Sequence, residues 1–380
     1  MEKREGFMKD VLERIFTVNL GVRPHERALV FTDLPAAGET ARPGGEGADA
    51  QLRGIARLTA EAGRALCRVD YVEFPSTGGH GKEPPEPLWE AAFGSEVVSE
   101  LREAGLLGRL LAKEADAADL ARVEEVVRGS AAGGPDAVVA LSRYSTSHTR
   151  FRDLLTRCLG ARYASMPLFE KSMIYGPMAA DWREVEARTL RLCRLADGGA
   201  EVHIKAPNGT DIRFSIEGRS FIADTGILTE PGSFGNLPAG EAFLAPVEET
   251  AEGVLVLEWG PTGRFVEPVV LRFEGGFVAE VSGGDPFAAE LGGKIAAEPL
   301  VGNLAELGIG TNDRAARPDN ILETEKILGT VHMAIGDNSS FGGRVSVPYH
   351  QDFVLYRPTV VVTKRGGETV RLLIDGKPAF

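Results

Sequence analysis

The feature that most constrains this chain is a change of pattern after Asp197-Gly198-Gly199. Before it, short apolar runs alternate with segments of helical spacing. After it, strand-like runs follow one another through turn signals. At 380 residues the chain exceeds the usual size of a single core. We therefore expect two domains, residues 1–198 and 199–380.

In the first half FMKDVLERIFTVNL (7–20) reads as a helix and ALVFTD (28–33) as a buried strand. A Gly/Pro/Ala-rich loop, RPGGEGADA, leads to a helix around 50–62, and CRVDYVEFP (67–75) is the next strand. STGGHGKEPPEP is too rich in Gly and Pro to be regular. A helical region at 115–128, the strand DAVVALS, the helix SHTRFRDLLTRCLG and the strand ARYASMP follow, with DWREVEARTLRLCRLA closing the half. Strands separated by helices predict a parallel, doubly wound α/β domain.

The second half opens with EVHIKAP, Asn208-Gly209 and TDIRFSIEG, a strong hairpin signal. Further strand-like runs include GVLVLEW, FVEPVVLRFE, KILGTVHMAIG, HQDFVLYRP, TVVVTK and TVRLLID. Short helices are expected near 286–292 and 322–328, the latter with Asn320 as N-cap, Glu323 three residues on and Gly329 at its end. This predicts a β-rich α+β domain.

The formal charge of −13 argues against a general nucleic-acid binder and against an anionic membrane surface, both of which need a basic face. No apolar run reaches membrane-spanning length, and the N-terminus lacks the apolar core of a signal peptide. Cys67, Cys158 and Cys193 are scattered and form no CxxC, so neither a disulfide framework nor a thiolate zinc site is indicated, and a reducing cytoplasm is the default.

Chemistry concentrates between Glu306 and Tyr356. In a strand, His350 and Asp352 of His350-Gln351-Asp352 point to one face, as two ligands of one metal would. A lone HxD is more often an exposed strand end. His332 stands inside an apolar run 18 positions earlier (350 − 332), where a core histidine is the blander explanation. Together they favour a metal site, because neutral imidazole and carboxylate are the ligands of catalytic zinc and non-haem iron. Glu241 and Glu306 fit the same picture, though each alone could be a surface residue. Asn236-Leu237-Pro238 is a turn or a brace that aims Glu241. His148 stands at a strand-to-helix junction, where α/β ligands gather, although Thr146 or Ser147 could simply cap the helix there. The loop Asp337-Asn338-Ser339-Ser340 is a turn or part of the pocket lining, with Asn338 as a candidate substrate contact. Walker, HExxH and GxSxG motifs are absent from the sequence.

At GNLPAGEAF, LAELGIG, TVHMAIGDN and HQD the sequence resembles the M29 family of metallo-aminopeptidases, of the aminopeptidase T or S type. The resemblance covers the second half and, more loosely, the first. It implies that Glu241, Glu306, His332, His350 and Asp352 hold two divalent ions (zinc, cobalt or manganese), with Glu306 also catalytic, in a homodimer that removes N-terminal residues from peptides. A tyrosine expected seven residues after His332 is replaced by Ser339, the remaining candidate for its catalytic position. Tyr349 faces the other side of its strand, and Tyr356 lies roughly 20 Å along it. The same scaffold is similar to that of 2,5-dihydroxypyridine dioxygenases, whose single Fe(II) site needs two histidines and one carboxylate. Three functions thus stand side by side: a two-metal aminopeptidase, a ring-cleaving Fe(II) dioxygenase, and an inactive homologue that binds a peptide or partner. Retention of both Glu241 and Glu306 weighs toward the first.

Overall fold

Eight residues, Arg27–Leu34, make the central strand of the first unit (β1), and its six inner positions are all buried. That is why ALVFTD has no polar alternation: a strand covered on both faces reads as a continuous apolar run. In the computed structural model, which describes residues 2–36, 38–39, 46–129, 133–260, 263–316 and 320–380, β1 pairs in parallel with β2 (Arg68–Pro75) and β3 (Ala137–Ala140), and β3 with β4 (Arg162–Ser165). The helices α1 (Glu2–Arg14) and α2 (Glu46–Arg64) fall in the expected places. Of the predicted loop RPGGEGADA, residues 42–45 lie outside the described residues, whereas residues 46–50 are already helical and open α2, so the helix starts earlier than expected.

Of three further helices, α3 (Glu86–Phe93), α4 (Ser95–Glu103) and α5 (Leu106–Leu111), the first begins within STGGHGKEPPEP, expected to be irregular, because a proline fits the first turn of a helix; the rest of the stretch carried no sequence expectation. Gly94 and Gly105, both at positive φ, punctuate them. After α6 (Ala117–Gly129), helix α7 (Arg150–Arg157) starts at Thr149, whose hydroxyl accepts the Arg152 N–H. The first unit is the parallel α/β domain expected.

Contacts divide the chain into Met1–Trp182 with Gly226–Pro238, and Arg183–Thr225 with Ala239–Phe380. The sequence expectation was a single crossing near residue 198. Instead α8 (Trp182–Ala196) belongs, after its first residue, to the second unit, and the chain returns once to the first. The reason for the return is a three-residue strand. Of the strands β5 (Gly199–Lys205), β6 (Asp211–Ser215), β7 (Ile222–Asp224) and β8 (Phe234–Asn236), the last adds in parallel to β4 as the fifth strand of the first sheet.

The second unit is built from two antiparallel sheets. Its remaining strands are β9 (Glu241–Leu244), β10 (Glu252–Gly260), β11 (Gly263–Glu274), β12 (Phe277–Ser282), β13 (Leu304–Gly310), β14 (Val331–Gly336), β15 (His350–Leu355), β16 (Thr359–Lys364), β17 (Thr369–Ile374) and β18 (Lys377–Pro378). One sheet runs β12-β11-β10-β6-β5-β16-β17-β18, and the other β15-β14-β13-β9-β7. Leu307, Ile309, Met333, Ile335 and Phe353 of the five-stranded sheet share one core with Ile204, Phe214, Leu271 and Val362 of the larger one. KILGTVHMAIG is a strand only from Val331. Residues 325–329 form turns, and Gly329 there has φ +84 with no room for a Cβ beside the Gly376 carbonyl.

Candidate metal centre

Because one face of the five-stranded sheet is spent on the core, every second residue of its strands points the other way. On β14 these are His332, Ala334 and Gly336. Their cross-strand partners are Gly308 and Glu306 on β13, and Val354, Asp352 and His350 on β15. The face continues through Gly310, which pairs with Glu241 on β9, and through Asp224 of β7, which also pairs with Glu241. Two histidines and four carboxylates thus project from one sheet face, with Gly308, Gly310, Ala334 and Gly336 leaving space between them.

The ligand atoms converge. One atom each from Glu306, His332 and Asp352 lies within 4.8 Å of the other two. Glu306 Oε1 is 3.3 Å from His332 Nε2, and its Oε2 is 3.4 Å from His350 Nε2. Asp352 Oδ1 lies 3.5 Å from the same His350 nitrogen, and Glu241 Oε2 lies 3.3 Å from His332 Nε2. Glu306 and His332 are buried, whereas His350 is 31% exposed and opens the site on one side.

Two observations test whether these residues suit a cation. First, His350 Nδ1 lies 2.7 Å from the Asp337 carbonyl, to which it donates as the N–H tautomer, so its Nε2 lone pair faces Glu306 and Asp352. Metal-bound histidines are held in this way. Second, Glu241 Oε2 is buried and has no hydrogen-bond partner among the described residues. A single N–H on His332 Nε2 cannot serve both Glu306 and Glu241, whereas a cation accepts from all of them. The residues fit a divalent ion bound through nitrogen and oxygen.

Electrostatics say the same. Burial pulls the His332 imidazole toward neutrality, but its hydrogen bond to Glu306 and the charges of Glu241 and Glu325 prevail and push it up to about 9. Burial likewise opposes charge on His350, yet Asp352 and Glu306 push it up to about 12. Asp352 resists its own burial through His350 and falls to about 2, and Glu306 is lowered by His332 and His350 against the same opposition. Burial and the neighbouring Asp352 raise Glu325 to about 8. The group is short of positive charge, which protons supply when a metal does not.

Several participants were not among the candidates read from the sequence. Lys326, 0% exposed, brings its Nζ to 2.5 Å from Glu241 Oε1, 3.5 Å from Glu325 Oε2 and 4.0 Å from Asp224 Oδ2. Phe341 stands edge-on to the His350 ring at 6.0 Å and to Phe243, which shares the site face, at 5.8 Å. A charged residue inside a predicted strand was the one available hint for Lys326.

Of the remaining candidates, Asn338 is buried and holds its own loop: its Oδ1 accepts the Val345 N–H at 2.9 Å and its Nδ2 donates to Glu248 at 3.3 Å. Ser339 is exposed, with its hydroxyl 3.1 Å from both carboxylate oxygens of Asp337, so it turns to its neighbour and not to the ligand group. His148 is an exposed residue of the first unit, just ahead of Thr149, which caps α7 in place of Thr146 or Ser147. Tyr349 lies under Lys294, and Tyr356 beside Trp259. Asn320 does cap its short helix α9 (Ile321–Thr324), accepting from Leu322, while Glu323 accepts the Ala316 N–H.

The family model described as NicX, 2,5-dihydroxypyridine 5,6-dioxygenase, matches residues 176–366. A curated 2,5-dihydroxypyridine 5,6-dioxygenase of Pseudomonas putida is 28% identical over 185 residues, 44% of this chain and 52% of that protein. The match therefore spans about half of that relative's length. Among solved structures, the 2,5-dihydroxypyridine dioxygenase of P. putida KT2440 superposes with a TM-score of 0.67 at 19% identity, covering 98% of this chain and 96% of the other. AmpT of Thermus thermophilus superposes with a TM-score of 0.55 at 18% identity, covering 99% and 100%. These two likenesses concern the fold, a scaffold common to all three. Among the described residues, no helix is long and apolar enough to cross a membrane.

Proposed function

This chain belongs to the 2,5-dihydroxypyridine 5,6-dioxygenase (NicX) family, and from that premise we propose that it is a mononuclear Fe(II) dioxygenase opening the ring of a small dihydroxylated aromatic compound. The observation that carries this reading is the pairing of two imidazoles with carboxylates on one sheet face, walled by aromatic rings. His332, His350, Asp352 and Glu306 would hold the ion, a donor set suited to non-haem iron. When bound, iron supplies the one-electron chemistry that lets a spin-paired ring react with dioxygen.

The chain's own residues would do the rest. The Asp337 carbonyl fixes the His350 tautomer. Phe341 and Phe243 offer ring edges and faces against which a flat substrate packs. Glu241 Oε2, buried and without a partner among the described residues, is placed to take a proton from a substrate hydroxyl. Both atoms of dioxygen would enter the product, so no external reductant is needed.

A second reading keeps the aminopeptidase chemistry, and Glu241 favours it as a fifth ligand facing His332. Anaerobically purified protein loaded with Fe(II) separates the two. Oxygen uptake in a one-to-one ratio with loss of 2,5-dihydroxypyridine absorbance supports the dioxygenase. Cleavage of short peptides by the Mn(II)- or Co(II)-loaded protein, with no oxygen uptake by the Fe(II) form, supports the hydrolase.

A further inference from the structure

We propose that Lys326 is a built-in counter-cation that takes the place of a second metal and restricts the centre to one ion. The inference rests on the reading that the His332–His350 group holds a divalent metal, and it assigns the other half of the site. Glu241 is the residue that links the halves. Its Oε2 faces His332 Nε2 at 3.3 Å, while its Oε1 accepts a hydrogen bond from Lys326 Nζ at 2.5 Å. A carboxylate with one oxygen toward each of two cations is the arrangement of a bridging ligand in two-metal sites. Here an ammonium occupies the second position.

The surroundings of Nζ are those a metal would want. Glu325 Oε2 at 3.5 Å and Asp224 Oδ2 at 4.0 Å complete a group of three carboxylates about it. The lysine is fully buried, and a buried ammonium needs compensating anions.

The backbone fixes the lysine in place. The Asn312 N–H donates to the Lys326 carbonyl at 2.9 Å, and the Leu328 N–H to the Asn312 carbonyl at 3.1 Å. The segment comes close enough because position 310 is glycine: a Cβ there would lie 2.0 Å from the Ile327 carbonyl oxygen. Lys326 is therefore held over β13 by main-chain bonds, not carried on a free arm.

The test is metal content after reconstitution with excess Mn(II) and removal of unbound ion, read by elemental analysis and by calorimetric titration. Wild-type protein should hold one ion per chain. Lys326→Ala and Lys326→Gln should hold two, the second filling the vacated carboxylate group. Two ions in the wild type, or one in both folded variants, overturns the proposal. If the variants unfold, Mn(II) during refolding should restore them, since the ion replaces the missing charge, and continued failure to fold with Mn(II) present overturns it too. A wild type that binds no metal at all sinks the metal-enzyme reading itself, a result distinct from either of these.

Discussion

Gly308 lies directly across the β13–β14 ladder from His332, and a Cβ built on it would fall 1.9 Å from the imidazole Nε2. The ring lies over the glycine, and no other residue leaves it there. Gly308→Ala is expected to push the imidazole off its position and to weaken metal binding about 10–100-fold, the range seen when a ligand's support is removed. Calorimetric titration with Mn(II), alongside circular dichroism to verify folding, checks this. Unchanged affinity in a folded variant would mean that His332 is not a ligand.

The loop that follows β14 orients His350. Asn338 closes it through Val345 and Glu248, and Gly343 leaves room for that side chain, since its Cβ would lie 1.9 Å from Asn338 Cγ. Asn338→Ala leaves the buried Val345 N–H without its acceptor and removes one of two donors to Glu248 Oε1, which keeps the Arg344 N–H at 2.6 Å. The expected cost is about 1–3 kcal/mol in urea unfolding, with weaker metal binding because Asp337 no longer fixes the His350 tautomer. Full stability in the variant would count against this role.

If Phe341 packs against substrate, Phe341→Ala should raise KM for a dihydroxypyridine several-fold while metal content stays at the wild-type value. The residue touches the His350 ring only by its edge and offers no ligand atom. Loss of metal with unchanged KM would reassign it to the support of His350.

Away from the site, Glu73 on β2 is held by Arg53 and Arg57 of α2 and by the Tyr71 hydroxyl. The Arg53 hydrogen bond, working against partial burial, brings its carboxyl from 4.5 down to about 2. A lowered folded-state pKa adds stability that is present above the unfolded value and is lost as pH falls from 4.5 toward 2. Glu73→Gln should remove this contribution, on the order of 1 kcal/mol for a partly solvated pair. Denaturation at a series of pH values should show a shallower acid limb in the variant. An identical limb would remove Glu73 from the account.

What was legible in the sequence is what period and local chemistry encode. The i, i+2 relation of His350 and Asp352 puts them on one face, and a histidine inside the apolar run TVHMAIG marked His332 as their companion, although only the β14–β15 pairing shows it beside them. Asn208-Gly209 marked its hairpin, and the covered strands β1 and β3 were readable as unbroken apolar runs. Lys326 was not legible, because its meaning depends on Asp224 and Glu241, far away in the chain and adjacent only through β7–β9 pairing. Gly308 and Gly310 read as weak strand residues, since a missing side chain acquires a purpose only when its neighbours are known. The return of the chain to the first unit was hidden because β8 has three residues, too few to show a period.

The central claim is that oxygen in the product comes from dioxygen and not from water. Fe(II)-loaded protein should be given 2,5-dihydroxypyridine under ¹⁸O₂ in ordinary water and the product weighed by mass spectrometry. We predict incorporation of two labelled oxygen atoms, abolished in His350→Ala. A product labelled only when the water is labelled, or substrate left untouched by protein that holds one iron per chain, would contradict it.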